Sequence, residues 1–483
     1  MGAMTDDKKK KGPDGVSTYP ADAHDLASYE QASQALSQLS TPVLVRSSNP
    51  HERLFVAAFD GTGNSMLKDA PANHTNVADI VRQTAAANSR GLTNVRVEYM
   101  EGPGTQDGAL KRGWDAATGN SYEDRVEEMY ARFTAQSKRW LAEDPEAQIR
   151  VVSVGFSRGA EQAAGFTRLV DERGIQDPKG RVEDRDLFGN LKQVRYPEPA
   201  LVPAHQVPQA VALFDPVGTG KPRDHDRRQP PSVLSGFQIT AEDERRNLFK
   251  STSILDPGAT ENGRFLNVTV GGAHSDIGGS YTLNGLSVRS GNLMVDYLNS
   301  LSDQPFLAKR AVPAAPEMNV VHRSEEHSRL YRTSDFDKDG QRDRMERLTP
   351  SKKVAHPNDN EPRDEAMNER FAHRPVAIGP VPAERPRLQD GPAPVVADTH
   401  ALFERLGRAA VDGDVDGARA VGGSFLASEQ GLSLQRRGGE QAQAAAPAEP
   451  ERPRQQAEAN DPTPPTQPPP GYEGPERRQT PRL

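Results

Sequence analysis

The stretch Ile149-Arg150-Val151-Val152-Ser153-Val154, running directly into Gly155-Phe156-Ser157-Arg158-Gly159-Ala160, decides the fold. A β-branched run that meets Gly-x-Ser-x-Gly reads as a strand turning sharply into a helix. Such a turn holds its serine in a strained, exposed position, and the glycines allow the close backbone approach that it requires. Ser157 is the candidate nucleophile. A plain strand-to-helix turn with an incidental serine shows the same pattern, so the choice falls to the rest of the chain.

Upstream, residues 54–59 form an apolar strand that ends at Asp60-Gly61-Thr62-Gly63-Asn64, where glycines beside Asp and Asn mark a tight loop. A helix is expected over 76–87 and a second strand over 95–100. Tyr122, Val126, Met129, Tyr130 and Phe133 recur at helical spacing, and that helix should stop before Pro145. Downstream, the spacing predicts a helix over 158–171 and a strand over 207–214 that ends at Asp215-Pro216-Val217-Gly218. A charged helix over 241–250 follows, then a strand over 265–270 ending at Gly271-Gly272-Ala273-His274, and an amphipathic helix over 286–301. Strands alternating with helices imply a parallel sheet. The expected fold class is α/β, with an α/β-hydrolase-like central, mostly parallel sheet flanked by helices.

The chain has 483 residues but only 34% are hydrophobic, and the apolar periodic segments lie almost entirely between about 50 and 305. The expected organisation follows from that shift. Residues 1–49 form an N-terminal tail, disordered over 1–20, with a short helix over 22–39. The catalytic domain is expected over 50–348, a linker over 349–397, a small helical module over 398–440 and a disordered Pro/Gln-rich tail over 441–483. A net charge of −8 leaves no basic footprint for nucleic acid, and the short run Lys8 to Lys11 reads as a solvated tail. Cysteine is absent, which excludes thiol catalysis, zinc-thiolate sites and disulfides. No apolar run reaches the roughly 18 residues of a membrane span, and residues 1–15 lack the apolar centre of a secretory signal. The expectation is a chain made in the cytoplasm without a signal peptide and carried out by dedicated machinery.

A serine hydroxyl needs a histidine to take its proton, and the histidine needs a carboxylate to fix its tautomer. Of eleven histidines, only His274 closes a β-branched run in a glycine-flanked turn. It is the candidate base. Asp215 ends the strand between the elbow and the histidine, which gives the order Ser, Asp, His. Asp276 is the rival acid, but two residues from His274 it would struggle to reach the far imidazole nitrogen and reads better as loop support. Backbone amides of Arg158, Gly61 and Thr62 are the candidate oxyanion hole. Asp60 would hold that loop.

FDGTGNS (59–65), EGPGT (101–105), GFSRGA (155–160), FDPVGTG (214–220) and GGAHSDIGGSY (271–281), with AEDERR (241–246), together resemble the signatures of the first family of type VI secretion lipase effectors. The likeness spans about residues 50–305. It implies an α/β-hydrolase phospholipase in which Ser157, Asp215 and His274 match the triad. It also implies a phospholipid membrane substrate in a rival cell's periplasm or at its membrane, a cognate immunity protein, and secretion machinery as partners. Pro216 and Ala273 depart from the pattern, which weakens inference about the acyl position cut. Two further readings stay open, a carboxylesterase acting on another acyl ester and a non-catalytic delivery or binding protein on a hydrolase scaffold.

A second motif lies outside that region. Asp335, Asp337, Asp339, Asp343 and Glu346 occupy positions one, three, five, nine and twelve of a twelve-residue stretch with Gly340 at six and Gln341 at seven. These are the places where an EF-hand loop supplies oxygen to Ca2+ and makes its sharp turn. Arg342 breaks the pattern at position eight, where an aliphatic anchor is usual. An acidic surface loop is the plainer alternative. The carboxyl-terminal module with its glutamine-rich tail distantly resembles delivery segments of type IV secretion effectors, so either export route fits.

Overall fold

The structure, a computed structural model, describes residues 11–103, 122–186, 189, 191–218, 225–327, 342, 344–345 and 360–383. The chain divides into two units, Met1–Pro386 and Arg387–Leu483. All of the second unit lies outside the described residues, and with it the expected module 398–440 and tail 441–483.

Among the described residues, the central sheet has seven strands: β1 (Glu52–Phe59), β2 (Val95–Met100), β3 (Gln148–Phe156), β4 (Gln209–Phe214), β5 (Val233–Ala241), β6 (Gly258–Ala259) and β7 (Phe265–Val270). Their order across the sheet is β6-β7-β5-β4-β3-β1-β2, and every pairing is parallel except the short edge pair β6 and β7. The helices are α1 (Ala23–Gln38), α2 (Asn76–Ser89), α3 (Tyr122–Glu143), α4 (Arg158–Arg173), α5 (His274–Gly278), α6 (Gly285–Ser300) and a short α7 (Glu365–Asn368).

Near-continuous apolar strands are what a sheet covered on both faces demands. Alternate residues feed two cores. Leu54, Val56 and Ala58 of β1, Val152 and Val154 of β3, and Ala210 and Ala212 of β4 join Leu36, Ile80 and Tyr297 on the face carrying α1, α2 and α6. Phe55, Ala57 and Phe59, with Val151, Val211 and Leu213, join Met129, Phe133 and Phe166 of α3 and α4 on the other. Phe133 has its ring 5.1 Å from Phe55 and 6.0 Å from Phe166. The aromatic stripe on α3 is therefore core packing, and truncating Phe133 to alanine would cost about 3–5 kcal/mol.

The chain enters the sheet at β1, steps outward to β2, then crosses back to β3 and continues to β4, β5 and β7. The direction of winding reverses between β1 and β3. Open α/β sheets place their sites outside the carboxyl ends of the strands at such a switch point.

The structure departs from the sequence expectations in four places. The strand β5 was not anticipated, because Ser235, Gly236, Gln238 and Thr240 interrupt its apolar run. All are buried, and Gln238 is satisfied by Thr252 O, Thr240 Oγ1 and the Leu255 amide. The charged helix expected over 241–250 is a loop with one 3-10 turn at Asn247–Phe249. Residues 12–20, expected to be disordered, pack onto the domain: Val16 is fully buried and Thr18–Pro20 pairs antiparallel with Val320–His322. The expected linker 349–397 contains a docked piece, where His373–Pro375 pairs with Ser40–Pro42 and Met367 and Val376 are buried.

Candidate active site

The elbow forms as its sequence predicts. Ser157 stands between β3 and α4 with φ 60° and ψ −128°, backbone strain that a β-carbon residue seldom accepts. A β-carbon added to Gly159 would overlap the carbonyls of Phe59 and Asp60, and one added to Gly155 would overlap the first turn of α4. These glycines let the helix start seat itself against the end of β1.

The carbonyl of Phe214 accepts the Ser157 amide at 3.0 Å, and the Ser157 carbonyl accepts the Val217 amide at 3.4 Å. The serine backbone is thus bracketed by residues on either side of Asp215. Asp215 also has positive φ, at 38°. Its Oδ2 lies 2.5 Å from His274 Nδ1. The imidazole packs against the residue before the serine, with 4.6 Å between the Phe156 and His274 ring centres. The structure thus pairs Asp215 with His274 and sets both beside the Ser157 backbone, at the ends of β3, β4 and β7.

Burial would raise the Asp215 carboxyl, but the charge of Arg342 and the hydrogen bond from His274 outweigh it and hold the group at about 2. With the acid ionised, the shared proton sits on His274 Nδ1. Burial pushes the imidazole below its ordinary value, and Asp215 opposes that only in part. The resting pair is a carboxylate beside a neutral imidazole, the state a general base requires.

Asp276 does not compete for His274. Its Oδ2 accepts the Ala273 amide at 2.9 Å and the His322 amide at 3.0 Å, and its Oδ1 meets His322 Nδ1 at 2.6 Å. These bonds hold the loop around His274 in place. Asp60 does the same on the other side: Oδ1 accepts from the Gly61 amide at 2.7 Å and Thr75 Oγ1 at 2.8 Å, and Oδ2 accepts from Tyr99 Oη at 2.6 Å. Burial drives its carboxyl up to about 6. The Gly61 amide is therefore committed to Asp60, which corrects its expected place in the oxyanion hole. Arg158 opens α4, and its Nε donates to Thr62 Oγ1 at 2.7 Å, tying the elbow to the β1 loop.

Four contributors escaped the sequence reading. Glu244, buried, accepts the His274 amide at 3.3 Å and is forked by Arg246. Burial would raise the Glu244 carboxyl, and the Arg246 charge more than reverses it. Arg246 lies over the Phe249 ring at 3.4 Å, and Phe249 sets its edge against His274 with 5.2 Å between ring centres. The resemblance of 241–246 to a recurring block was the available signal, but its charges looked like a solvated helix. The fourth is Arg342, which donates to both oxygens of Asp215.

Asp335, Asp337, Asp339, Gln341, Asp343 and Glu346 lie outside the described residues. Among the described residues, no group of three or more His, Asp or Glu is placed to hold a metal ion, and no helix is long and apolar enough to cross a membrane. A cleft of about 540 Å³ opens at the amino-terminal end of the sheet, lined in part by Arg46, Glu52, Gln148 and Arg150. Its lining includes no serine, histidine or cysteine.

The family described as T6SS, phospholipase effector Tle1-like, catalytic domain, matches residues 53–306, just over half of the chain. A search of curated proteins finds no match. Similar solved structures include a protein described as uncharacterized from Pseudomonas aeruginosa, at 15% identity and TM-score 0.31, covering 66% of this chain and 53% of that one. A Tle1 effector bound to the VgrG spike of the type 6 secretion system is similar at 21% identity and TM-score 0.28, over 47% of this chain and 51% of that one. An acetyl xylan esterase is similar at 16% identity and TM-score 0.22, over 52% and 99%. The chain spans about half the length of the first two.

Proposed function

Through its catalytic domain the chain belongs to the Tle1-like phospholipase effectors of type VI secretion, and from that premise we propose that it is a secreted serine phospholipase of the A type. The observation that carries the proposal is the buried 2.5 Å pair of His274 Nδ1 and Asp215 Oδ2 beside the strained elbow at Ser157.

In the proposed reaction, Ser157 Oγ attacks an acyl carbonyl while His274 Nε2 takes its proton. Asp215 keeps the imidazole in the tautomer that leaves Nε2 able to accept, and balances the imidazolium once it forms. The Arg158 and Thr62 amides would receive the developing oxyanion. The tetrahedral adduct collapses when His274 returns the proton to the leaving alkoxide, which departs as lysophospholipid. Water, deprotonated by the same nitrogen, then releases the fatty acid and restores the serine.

A lipid-water interface as the place of action is supported by two leucines on loops that follow strand ends at this rim. Leu67 is 76% exposed, just beyond the Asp60 loop, and Leu248 is 47% exposed, next to Phe249. Delivery by a secretion spike to a rival cell's periplasm, and neutralisation at home by an immunity protein, belong to the same proposal. So does Ca2+ on residues 335–346, for which the support is the sequence pattern. Calcium scarce in the producing cell and plentiful outside would then confine activity to the target.

Fluorophosphonate labelling that is lost in Ser157→Ala and in His274→Ala is the expected result, together with lysophospholipid release from phosphatidylethanolamine vesicles. Labelling without phospholipid cleavage would leave an esterase for another ester. No labelling of the wild type would remove the serine mechanism. Activity indifferent to a chelator would remove the calcium element alone.

A further inference from the structure

Arg342 lies beyond the residues that match the family, in the twelve-residue acidic stretch and at the position where an aliphatic side chain was expected. Its side chain is only 6% exposed. Nη1 donates to Asp215 Oδ1 at 2.6 Å and to the Ala241 carbonyl at 2.8 Å. Nη2 donates to Asp215 Oδ2 at 3.0 Å and to the Phe249 carbonyl at 2.6 Å. Two bonds grip the carboxylate face-on, and two anchor the guanidinium to the backbone on either side of Glu244 and Arg246. This is the planar fork that arginine presents to a carboxylate and that lysine cannot copy.

The backbone just after Arg342 is also secured. Arg344 and Met345 pair in parallel with Ser251 and Thr252, and Ser251 bridges to Val217, two residues beyond the acid. The arginine is thus delivered to Asp215 by a segment stitched to the loop that carries Asp215.

Among the described residues, the donors to Asp215 apart from Arg342 are the Ala241 amide, at 2.9 Å from Oδ1, and His274. A fully buried carboxylate with two donors is undersupplied, because burial favours the neutral acid and its lone pairs can accept more. A protonated acid could not stabilise the imidazolium. We propose that Arg342 is a positioning residue of the triad, fixing the orientation of Asp215 and keeping it an anion, so that a residue outside the segment that matches the family completes the proton relay. This rests on Ser157, Asp215 and His274 being the triad.

Arg342 also has a measurable cost. Its positive charge shares Asp215 with the imidazolium and makes His274 a weaker base. Removing it therefore does two things at once: the relay loses its fixed anion, and the remaining acid-base pair binds a proton more readily.

The test is a comparison of the wild type with Arg342→Met and Arg342→Lys in the full-length chain, assayed on a soluble short-chain ester between about pH 5 and 9. Arg342→Met is expected to lower kcat by about 100-fold, less than the roughly 10⁴-fold loss when a triad aspartate is replaced. KM should stay within about twofold, and the acid limb of kcat/KM should move to higher pH by about one unit. Arg342→Lys should recover part of kcat and return the limb toward the wild type, since it restores charge without the fork. A kcat within threefold of wild type with an unmoved acid limb would overturn the proposal. So would a Lys variant no better than Met in a protein whose melting temperature has fallen, because the arginine would then be a structural staple. Fluorophosphonate labelling of wild-type Ser157 reports separately on the triad, so its absence would indict the triad and not Arg342.

Discussion

Two buried histidines on this fold each place Nδ1 against an aspartate, His274 against Asp215 at 2.5 Å and His322 against Asp276 at 2.6 Å, yet burial and surroundings drive them in opposite directions. The His274 ring meets one carboxylate, which it shares with Arg342; Arg246 nearby pushes it down, and Glu244, which accepts its backbone amide, offsets that only in part. Burial wins, and the ring is held neutral. His322 meets two carboxylates, Asp276 on Nδ1 and Asp14 on Nε2 at 3.2 Å. Burial disfavours its charge, but the pair of anions more than compensates. Tyr281 stacks on it with 3.9 Å between ring centres. Asp14 in turn accepts from the Thr282 and Leu283 amides, so His322 clasps the N-terminal segment to the loop after α5. A His-Asp distance does not make a base. What separates a relay from a clasp is the number of anions per imidazole and what stands at its second nitrogen.

The largest expected effect breaks the comparison if it fails. His274→Ala should lower kcat on a phospholipid or soluble ester by about 10⁵–10⁶, the scale seen when a triad histidine is removed. His322→Gln, at an equally buried His-Asp pair, should leave kcat within about threefold. Equal losses in both would mean that His274 is no more catalytic than its counterpart.

The aspartates sharpen the contrast. Asp215→Asn should cost about 10⁴ in kcat, because the amide offers His274 the wrong tautomer. Asp276→Asn should cost less than about tenfold in kcat while lowering the melting temperature, since the Ala273 and His322 amides lose a charged acceptor. Steady-state rates beside thermal melts of both variants decide it.

The candidate triad could be picked out in the sequence more readily than its setting. Ser157, Asp215 and His274 could be picked out as candidates because each follows an apolar strand and sits in a glycine-marked turn, and strand ends in a parallel sheet converge on one rim. Glu244 and Arg246 could not be, since a run of alternating charges looks the same whether it faces solvent or folds inward to satisfy itself around an imidazole. Arg342 acts on Asp215 across 127 residues of chain, and no local pattern encodes such a contact. Its appearance as the one misfit in a calcium-loop pattern was a signal, but of what could be read only from where its guanidinium lies. Likewise β5 hid behind Gly236 and Gln238, whose use is packing and internal hydrogen bonding, and Asp14 hid in a stretch with the composition of a tail.

Calcium enters the comparison on the His274 side only. If residues 335–346 hold Ca2+, chelation should lower wild-type kcat through the segment that brings Arg342 to Asp215, and Arg342→Met should respond less than wild type. The melting temperature of His322→Gln should shift with calcium as the wild type does. A chelator effect that is the same size in wild type and Arg342→Met would separate the cation from the relay.

The smallest effect is on stability, and here the two histidines should pull against each other with pH. His322 has a folded-state pKa above its unfolded value of roughly 6.5, so its contribution is complete below about pH 6.5 and is lost as pH rises through the raised value. His274 has a lowered folded-state pKa. Its neutral burial is without penalty above about pH 6.5, and stability falls as pH drops below that point toward the lowered value, because the unfolded chain takes up a proton that the folded one refuses. Denaturant melts of the wild type from about pH 5 to 8.5 should therefore give a broad maximum. In His322→Gln the decline on the alkaline side of about pH 6.5 should flatten, with an overall loss at pH 6 of up to roughly 3 kcal/mol, the low end for breaking a buried ion pair when the replacement can still hydrogen-bond. In His274→Ala it is the acid side that should flatten. If His322→Gln instead keeps the wild-type slope above pH 6.5, the imidazole between Asp14 and Asp276 is neutral, and the distinction between clasp and relay must rest on geometry alone.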